Sequence, residues 1–243
     1  MEMRVGEFDR AFCAARPQGP QAQALEFSRL PPSSQGSEPL EPLFAEVAPG
    51  ASREICETDL LRSYEYGLLA SVLLHVPDRE LLACIAALEG DMTPLGRAHS
   101  GLAEAAACCI PEALQREFFD LFIGVGRGEL LPYASYYLTG FLSERPLARL
   151  REDLAKIGLQ RAEDLNEPED HIGFLCELMA GLTSGALAAP PGADKLIFER
   201  HLKPWAMRFF ADLEASRSAG FYRSVGAIGR LFMQIEAEAL AMD

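Results

Sequence analysis

From Thr58 to the C-terminus, apolar residues recur at intervals of three and four, the spacing of helices that bury one face. Thr58 is placed to cap the first, whose stripe runs Leu61, Tyr64, Leu68, Val72 and His75. Pro77 ends it, Asp78 can cap the next, "RELLACIAALEG", and Gly90 closes that one. Thr93-Pro94 joins a capping residue to a proline at the first helical position and opens a helix that runs to about Cys109. Pro111 opens "EALQREFFDLFIG", in which Leu114, Phe118, Leu121 and Phe122 share a face. Further helices are predicted from Ser143 to Gly158, from Asn166, from near Asp194 and from about Ala219. Pro204 must break or kink the third of these, because its ring clashes with the preceding turn. The last carries Phe221, Val225, Ile228, Phe232 and Ile235 on one side. Alternating segments rich in Val, Ile and Thr are absent. The pattern predicts an all-α fold: one globular domain of about nine or ten helices, without an internal repeat.

Two stretches break the pattern. Residues 17–50 contain "RPQGPQ", "RLPPSSQGSEPLEP" and "APG", and apolar periodicity is lost among Pro, Gly, Ser and Gln. Residues 1–55 are therefore predicted as a disordered or loosely docked arm, and 56–243 as the helical domain. The second stretch is "GVGRGELLPYASYYLTG", residues 124–140, with four glycines and a proline among three tyrosines. It is predicted to be non-helical, the start of a loop or hinge around 124–166.

The chain has 243 residues, which suits one large domain or two small ones, and 49% of them are hydrophobic, enough for a sizeable core. The 36 acidic residues against 22 basic ones give a net charge of −14. That argues against nucleic acid as a partner, since phosphates call for Lys and Arg. It fits a cationic partner, or solubility alone. The cysteines at 13, 56, 84, 108, 109 and 176 show no C-x-x-C, as expected of reduced thiols in a cytoplasmic protein. No apolar run approaches the roughly 20 residues of a membrane span. "MEMRVGEFDR" has no apolar segment behind it of the kind a signal peptide needs.

The residues with chemical capacity gather in "EPEDHIGFLCELMAGL", residues 167–182. Glu167, Glu169, Asp170 and His171 are polar, and Ile172 to Leu182 are nearly all apolar. Carboxylates at a helix start are favoured by the macrodipole, by about 0.3–1 kcal/mol each. His171 fits less well, since a cation is disfavoured there, so the imidazole is expected to be neutral or paired with a carboxylate. A metal site is incomplete: Glu167 and His171 stand four apart, no second copy exists, and His99 and His201 are isolated. No metal is predicted. An Asp170-His171 dyad has no nucleophile, because G-x-S-x-G is missing and Cys176 belongs to the core. The glycine loop 124–128 follows a helix and lacks the lysine of a phosphate loop. An enzyme, hydrolytic or nucleotide-dependent, built on Asp170-His171 and that loop is thus the alternative function. Leu130, Leu131, Pro132, Tyr133, Tyr136 and Tyr137 either form an interface or cap the core.

"EFFDLFIGVGRGELLPYASYYL" resembles the Y/F-x-x-L-F-x-G-x-G…P-P-Y/W-x-S-V-Y-L block of the TorD/DmsD family, with Leu131 and Tyr136 departing from it. "EPEDHIGFLCELMAGL" is similar to that family's E-P-x-D-H-I-G-F-E-L-E-F-M block. The resemblance covers about residues 58–240. It implies a helical, cytoplasmic, non-enzymatic chaperone for a molybdenum-containing oxidoreductase. Such a protein binds a twin-arginine leader or the enzyme body until the cofactor is inserted, and so delays export or assembly. The implied client-binding residues are Glu167, Asp170, His171, Pro132, Tyr133, Ser135 and Tyr137, with no catalytic residue. Carboxylates would fork to leader guanidiniums while tyrosines and leucines take the apolar part. The texture of "RGELLPYASYYLTGFLSERPLARLRED" suggests a formate dehydrogenase as client. The resemblance implies no resident cofactor, leaves weak guanine-nucleotide binding open, and is compatible with a monomer or a homodimer.

Overall fold

Caps and prolines start several helices where the sequence puts them. The Asp78 carboxylate accepts from the Leu81 N–H at 2.8 Å and the Thr93 hydroxyl from the Gly96 N–H at 3.0 Å. Pro94, Pro111 and Pro146 fill first-turn positions, whose N–H groups have no helical partner in any case. The computed structural model describes residues 27–29, 55–161 and 168–242. Among these are ten α-helices: α1 (Glu57–Leu74), α2 (Arg79–Ala86), α3 (Pro94–Ala107), α4 (Pro111–Phe118), α5 (Ala134–Thr139), α6 (Arg145–Lys156), α7 (Ile172–Ser184), α8 (Ala193–Ile197), α9 (Ala206–Ala215) and α10 (Phe221–Met242). Wider π-helical turns, Phe119–Ile123 and Phe198–Leu202, extend α4 and α8. The all-α expectation holds. None of these helices is long and apolar enough to cross a membrane.

The structure corrects several details. Strands β1 (Phe27–Arg29) and β2 (Leu159–Arg161) pair antiparallel, Phe27 opposite Arg161. Three residues are too few to leave an alternation in the sequence. The rest of the expected arm, apart from Ile55, lies outside the described residues. Helix α1 begins at Glu57, one residue before Thr58, and its buried face is rotated from the expected stripe. Leu61 and His75 are exposed, while Tyr66, Leu69 and Leu73 are buried. The cause is polar: Asp59 is buried and bonds Arg62, whose guanidinium reaches Asp194 of α8 at 2.9 Å. In α10, Glu236 is buried and Ile235 exposed, because the last step of the stripe is four residues and not three.

Two compact units divide the chain. One comprises α2, α3, α4, α9 and α10 with the last residues of α1. In it Tyr222 donates through its hydroxyl to the Val72 carbonyl at 2.9 Å, and the rings of Phe118 and Phe122 pack on its ring. The Glu117 carboxylate of α4 accepts from the N–H groups of Gly220, Phe221 and Tyr222, so α4 caps α10. The other unit holds the rest of α1, the strand pair and α5 to α8. Helix α7 is its centre, buried on nearly every side. Cys176 lies there, and burial pushes its thiol far above the ordinary value.

Candidate functional site

A six-residue helix cannot sustain itself in water, because nucleation costs more than its few hydrogen bonds return. Helix α5, which carries Ser135, Tyr136 and Tyr137, is such a helix, and the side chain of its own N-cap residue Tyr133 does not cap it. The missing cap comes from the other motif. Oδ2 of Asp170 accepts from the Ser135 N–H at 2.7 Å and also from the Ser135 hydroxyl. The Asp170 carbonyl accepts from the Ala134 N–H at 2.9 Å, and Tyr133 and His171 pair as an antiparallel bridge. A carboxylate thus sits at the N-terminus of α5, where the helix dipole favours it. Ser135 and Asp170 are buried, and Oδ1 of Asp170 has no hydrogen-bond partner among the described residues.

Helix α7 starts at Ile172, not at Asn166, and His171 is its N-cap. Nδ1 of His171 accepts from the Gly173 N–H at 3.0 Å, so that nitrogen carries no proton and the ring is the neutral acceptor that a helix start favours. The edges of Tyr133 and Phe174 meet the ring at centroid distances of 5.2 and 5.8 Å. Glu169 is forked to Arg151 of α6, Nε to Oε1 at 3.0 Å and Nη2 to Oε2 at 2.7 Å. This bond raises the Arg151 guanidinium further above its ordinary range.

The structure brings Tyr133, Ser135, Asp170 and His171 together, with Asp170 turned into the fold and not open as a carboxylate site. Asp170 is 1% exposed and serves a helix of its own chain, while Glu169 already holds an arginine. Pro132 is buried, Tyr133 and Tyr137 are half-buried, and Glu167 lies outside the described residues. The expectation that 124–140 is non-helical fails for Tyr136 and Tyr137, because the cap that makes them helical lies 35 residues away in sequence. Arg151 was not legible for the same reason. Also missed were Leu138, Phe141 and Leu142, exposed by 43%, 70% and 48%. The signal was an apolar pair in a Gly-Ser-bounded turn, off any helix stripe. Thr139 Oγ1 fixes that turn by accepting from the Phe141 N–H at 3.2 Å.

The two features of the enzyme alternative have structural explanations. Asp170 bonds Ser135 and makes no hydrogen bond to the His171 ring. In the glycine loop, Gly124 has φ +63°, and a Cβ there would lie 2.0 Å from the Arg127 carbonyl oxygen. A Cβ on Gly128 would lie 2.6 Å from that of Leu121, since the chain folds back to bond Glu129 N–H to Asp120 and Leu130 N–H to Leu121. Among the described residues no three His, Cys, Asp or Glu side chains group as metal ligands.

His201, isolated in sequence, pairs through Nε2 with Asp153 Oδ2 at 2.9 Å, and both are buried. Burial holds His201 below its ordinary 6.5, against the pull of Asp153. Burial alone would raise Asp153, but Lys156, His201 and Arg200 outweigh it and keep its carboxyl below the usual range. The unfolded chain takes up a proton near pH 6.5 that folded His201 resists. Stability is thus complete above that value and falls as pH drops below it, by at most about 1.4 kcal/mol per pH unit. Asp153 adds a second loss below pH 3.8. Urea unfolding at stepped pH is expected to show the first slope in the wild type and a flatter one in His201→Gln; equal slopes would refute the assignment.

A family model described as nitrate reductase delta subunit matches residues 88–211. The chaperone protein TorD of Vibrio atlanticus (strain LGP32) is 29% identical over 138 residues, which are 53% of this chain and 64% of that protein. TorD of Vibrio cholerae serotype O1 (El Tor Inaba N16961) is 29% identical over 136 residues, 52% and 62% of the two chains. The chain therefore spans less than two thirds of the length of these relatives. A crystal structure from Archaeoglobus fulgidus, described as a candidate redox enzyme maturation protein, shares 23% identity at a TM-score of 0.49, covering 70% of this chain and 93% of that one. The matched segment is just over half of the chain and takes in the glycine loop, the tyrosine helix and the Asp170-His171 motif. The chain belongs to the TorD family, the group that the nitrate reductase delta subunit model describes.

Proposed function

We propose that the protein is a non-enzymatic chaperone for maturation of a molybdenum-containing oxidoreductase in the cytoplasm. The observation that carries this is the lock between the two motifs. Each described ionisable group of the 167–171 segment is engaged within the fold, and the chain at and after the end of the helix that Asp170 caps exposes Leu138, Phe141 and Leu142. Tyr133, Tyr137, Leu138, Phe141 and Leu142 form the proposed contact surface for a client. Asp170, Ser135, His171 and Pro132 act as its frame, and Glu167 remains a proposed partner for a guanidinium. The relatives named chaperone protein TorD support the same reading. A twin-arginine leader fits this surface: its apolar stretch would cover Phe141 and Leu142, and its two arginines would be drawn by the −14 charge of the chain. The first client to test is a formate dehydrogenase.

The test is calorimetric titration with a synthetic leader peptide of a formate dehydrogenase catalytic subunit. Partial burial of two apolar side chains predicts that the Phe141→Ser/Leu142→Ser variant binds roughly tenfold more weakly. Its circular dichroism should match the wild type, because both side chains are exposed. Full affinity in this variant would move the contact elsewhere. No binding of leader or enzyme body would remove the chaperone proposal.

A further inference from the structure

The second unit also contains a cavity of about 490 Å³, within the size range of small-ligand sites. Its apolar wall is Ala134, Leu138, Pro146 and Pro204. Its polar wall is built on buried Asp153, which accepts from Lys156 Nζ at 2.9 Å and Arg200 Nη1 at 3.2 Å and pairs with His201. That one carboxylate does not exhaust its partners. The side chains of Lys156 and Arg200 are 48% and 46% exposed, and an ammonium has three donors and a guanidinium five. Arg149 also lines the cavity and has no hydrogen bond or ion pair among the described residues. Glu199 is already held by Lys203, with both oxygens 2.8 Å from Nζ.

Charge decides what can enter. The lining carries Arg149, Lys156 and Arg200 against Glu152, Asp153 and Glu199. Glu199 is paired with Lys203, which stands outside the lining, so the remaining lining groups have one positive charge in excess, on a chain whose net charge is −14. A single carboxylate balances it, a phosphate dianion overshoots, and a guanidinium meets like charge.

We propose that this cavity binds a carboxylate on an apolar stem, the carboxylate on Arg149, Lys156 and Arg200 and the stem on Leu138, Pro146 and Pro204. The C-terminal residue of a peptide and a free organic acid both supply that chemistry. The cavity shares Leu138 with the proposed client surface, but its ligand is an anion and a leader's arginines are cations.

The full chain is titrated by calorimetry with N-acetyl-Ala-Leu-Leu as the free acid, the same peptide as its C-terminal amide, and octanoate. Loss of a charge-assisted bond predicts that the amide binds at least ~tenfold more weakly than the acid. Arg149→Gln, which disturbs no bond among the described residues, is expected to weaken the acid by about tenfold as well. A tight peptide acid with weak octanoate identifies a peptide terminus as the source; the reverse order identifies a small acid. Equal affinity of acid and amide, an unaffected Arg149→Gln variant, or no saturable binding of any probe overturns the proposal.

Discussion

Asp170→Ala is expected to destabilise the protein by about 3–4 kcal/mol, a large part of the 5–15 kcal/mol that holds a typical domain. The Ser135 N–H and hydroxyl are fully buried and both donate to one Asp170 oxygen. Truncating the acceptor strands both donors at about 1–3 kcal/mol each, and α5 loses its side-chain cap. Asp170→Asn keeps the shape and an acceptor for Ser135, but sets an amide N–H₂ where Oδ1 finds no partner. It is expected to cost roughly half as much. Ser135→Ala removes only the hydroxyl donor and should cost about 1 kcal/mol. In a double-mutant cycle the two sites should couple by more than about 1 kcal/mol, because one bond is counted twice. Leader affinity per folded molecule should stay near wild type in Asp170→Asn. A loss of affinity without a loss of stability would instead make Asp170 a direct contact for the leader's arginines, and a stability change under ~0.5 kcal/mol would dissolve the cap.

The sequence made legible what is local. Asp78, Thr93, Pro94 and Pro111 act within four residues of themselves, and the helices they start stand where periodicity places them. Pro204 separates the π turn after α8 from α9, as its ring requires. The candidate site was legible as two segments and not as an arrangement. Composition marks Tyr133 to Tyr137 as unusual, yet nothing in those residues says that they begin a helix, because Asp170 supplies the cap. Nothing in "EPEDH" says that Glu169 faces Arg151 or that Asp170 turns inward. Their charges read as a solvated helix start, while the structure uses them as buried acceptors. His201 and Asp153 follow the same rule, 48 residues apart and in contact. Stripes failed where polar groups took core positions, as Asp59 does in α1 and Glu236 in α10.

Glu117→Ala should show the same device at work in the other unit. Helix α10 has 22 residues, and the Glu117 carboxylate of α4 accepts the Gly220 and Tyr222 N–H groups at 2.8 Å and that of Phe221 at 3.2 Å. The three N–H groups open the helix and have no partner along it. A negative charge there also opposes the positive end of the dipole. Removing the carboxylate is expected to cost about 2–3 kcal/mol; solvent can reach part of this site and recovers some of the lost hydrogen bonding. Glu117→Gln keeps one acceptor oxygen and loses the charge, so its cost should be about 1 kcal/mol. Hydrogen exchange locates the effect: amide protection should fall at Gly220, Phe221 and Tyr222 and stay high at buried Ile228 and Phe232, deeper in α10. Uniform loss along the helix would mean that Glu117 supports the packing of the bundle instead of its cap. No loss at all would mean that Phe118, Phe122 and Val72, through their contacts with Tyr222, suffice to hold that end of α10.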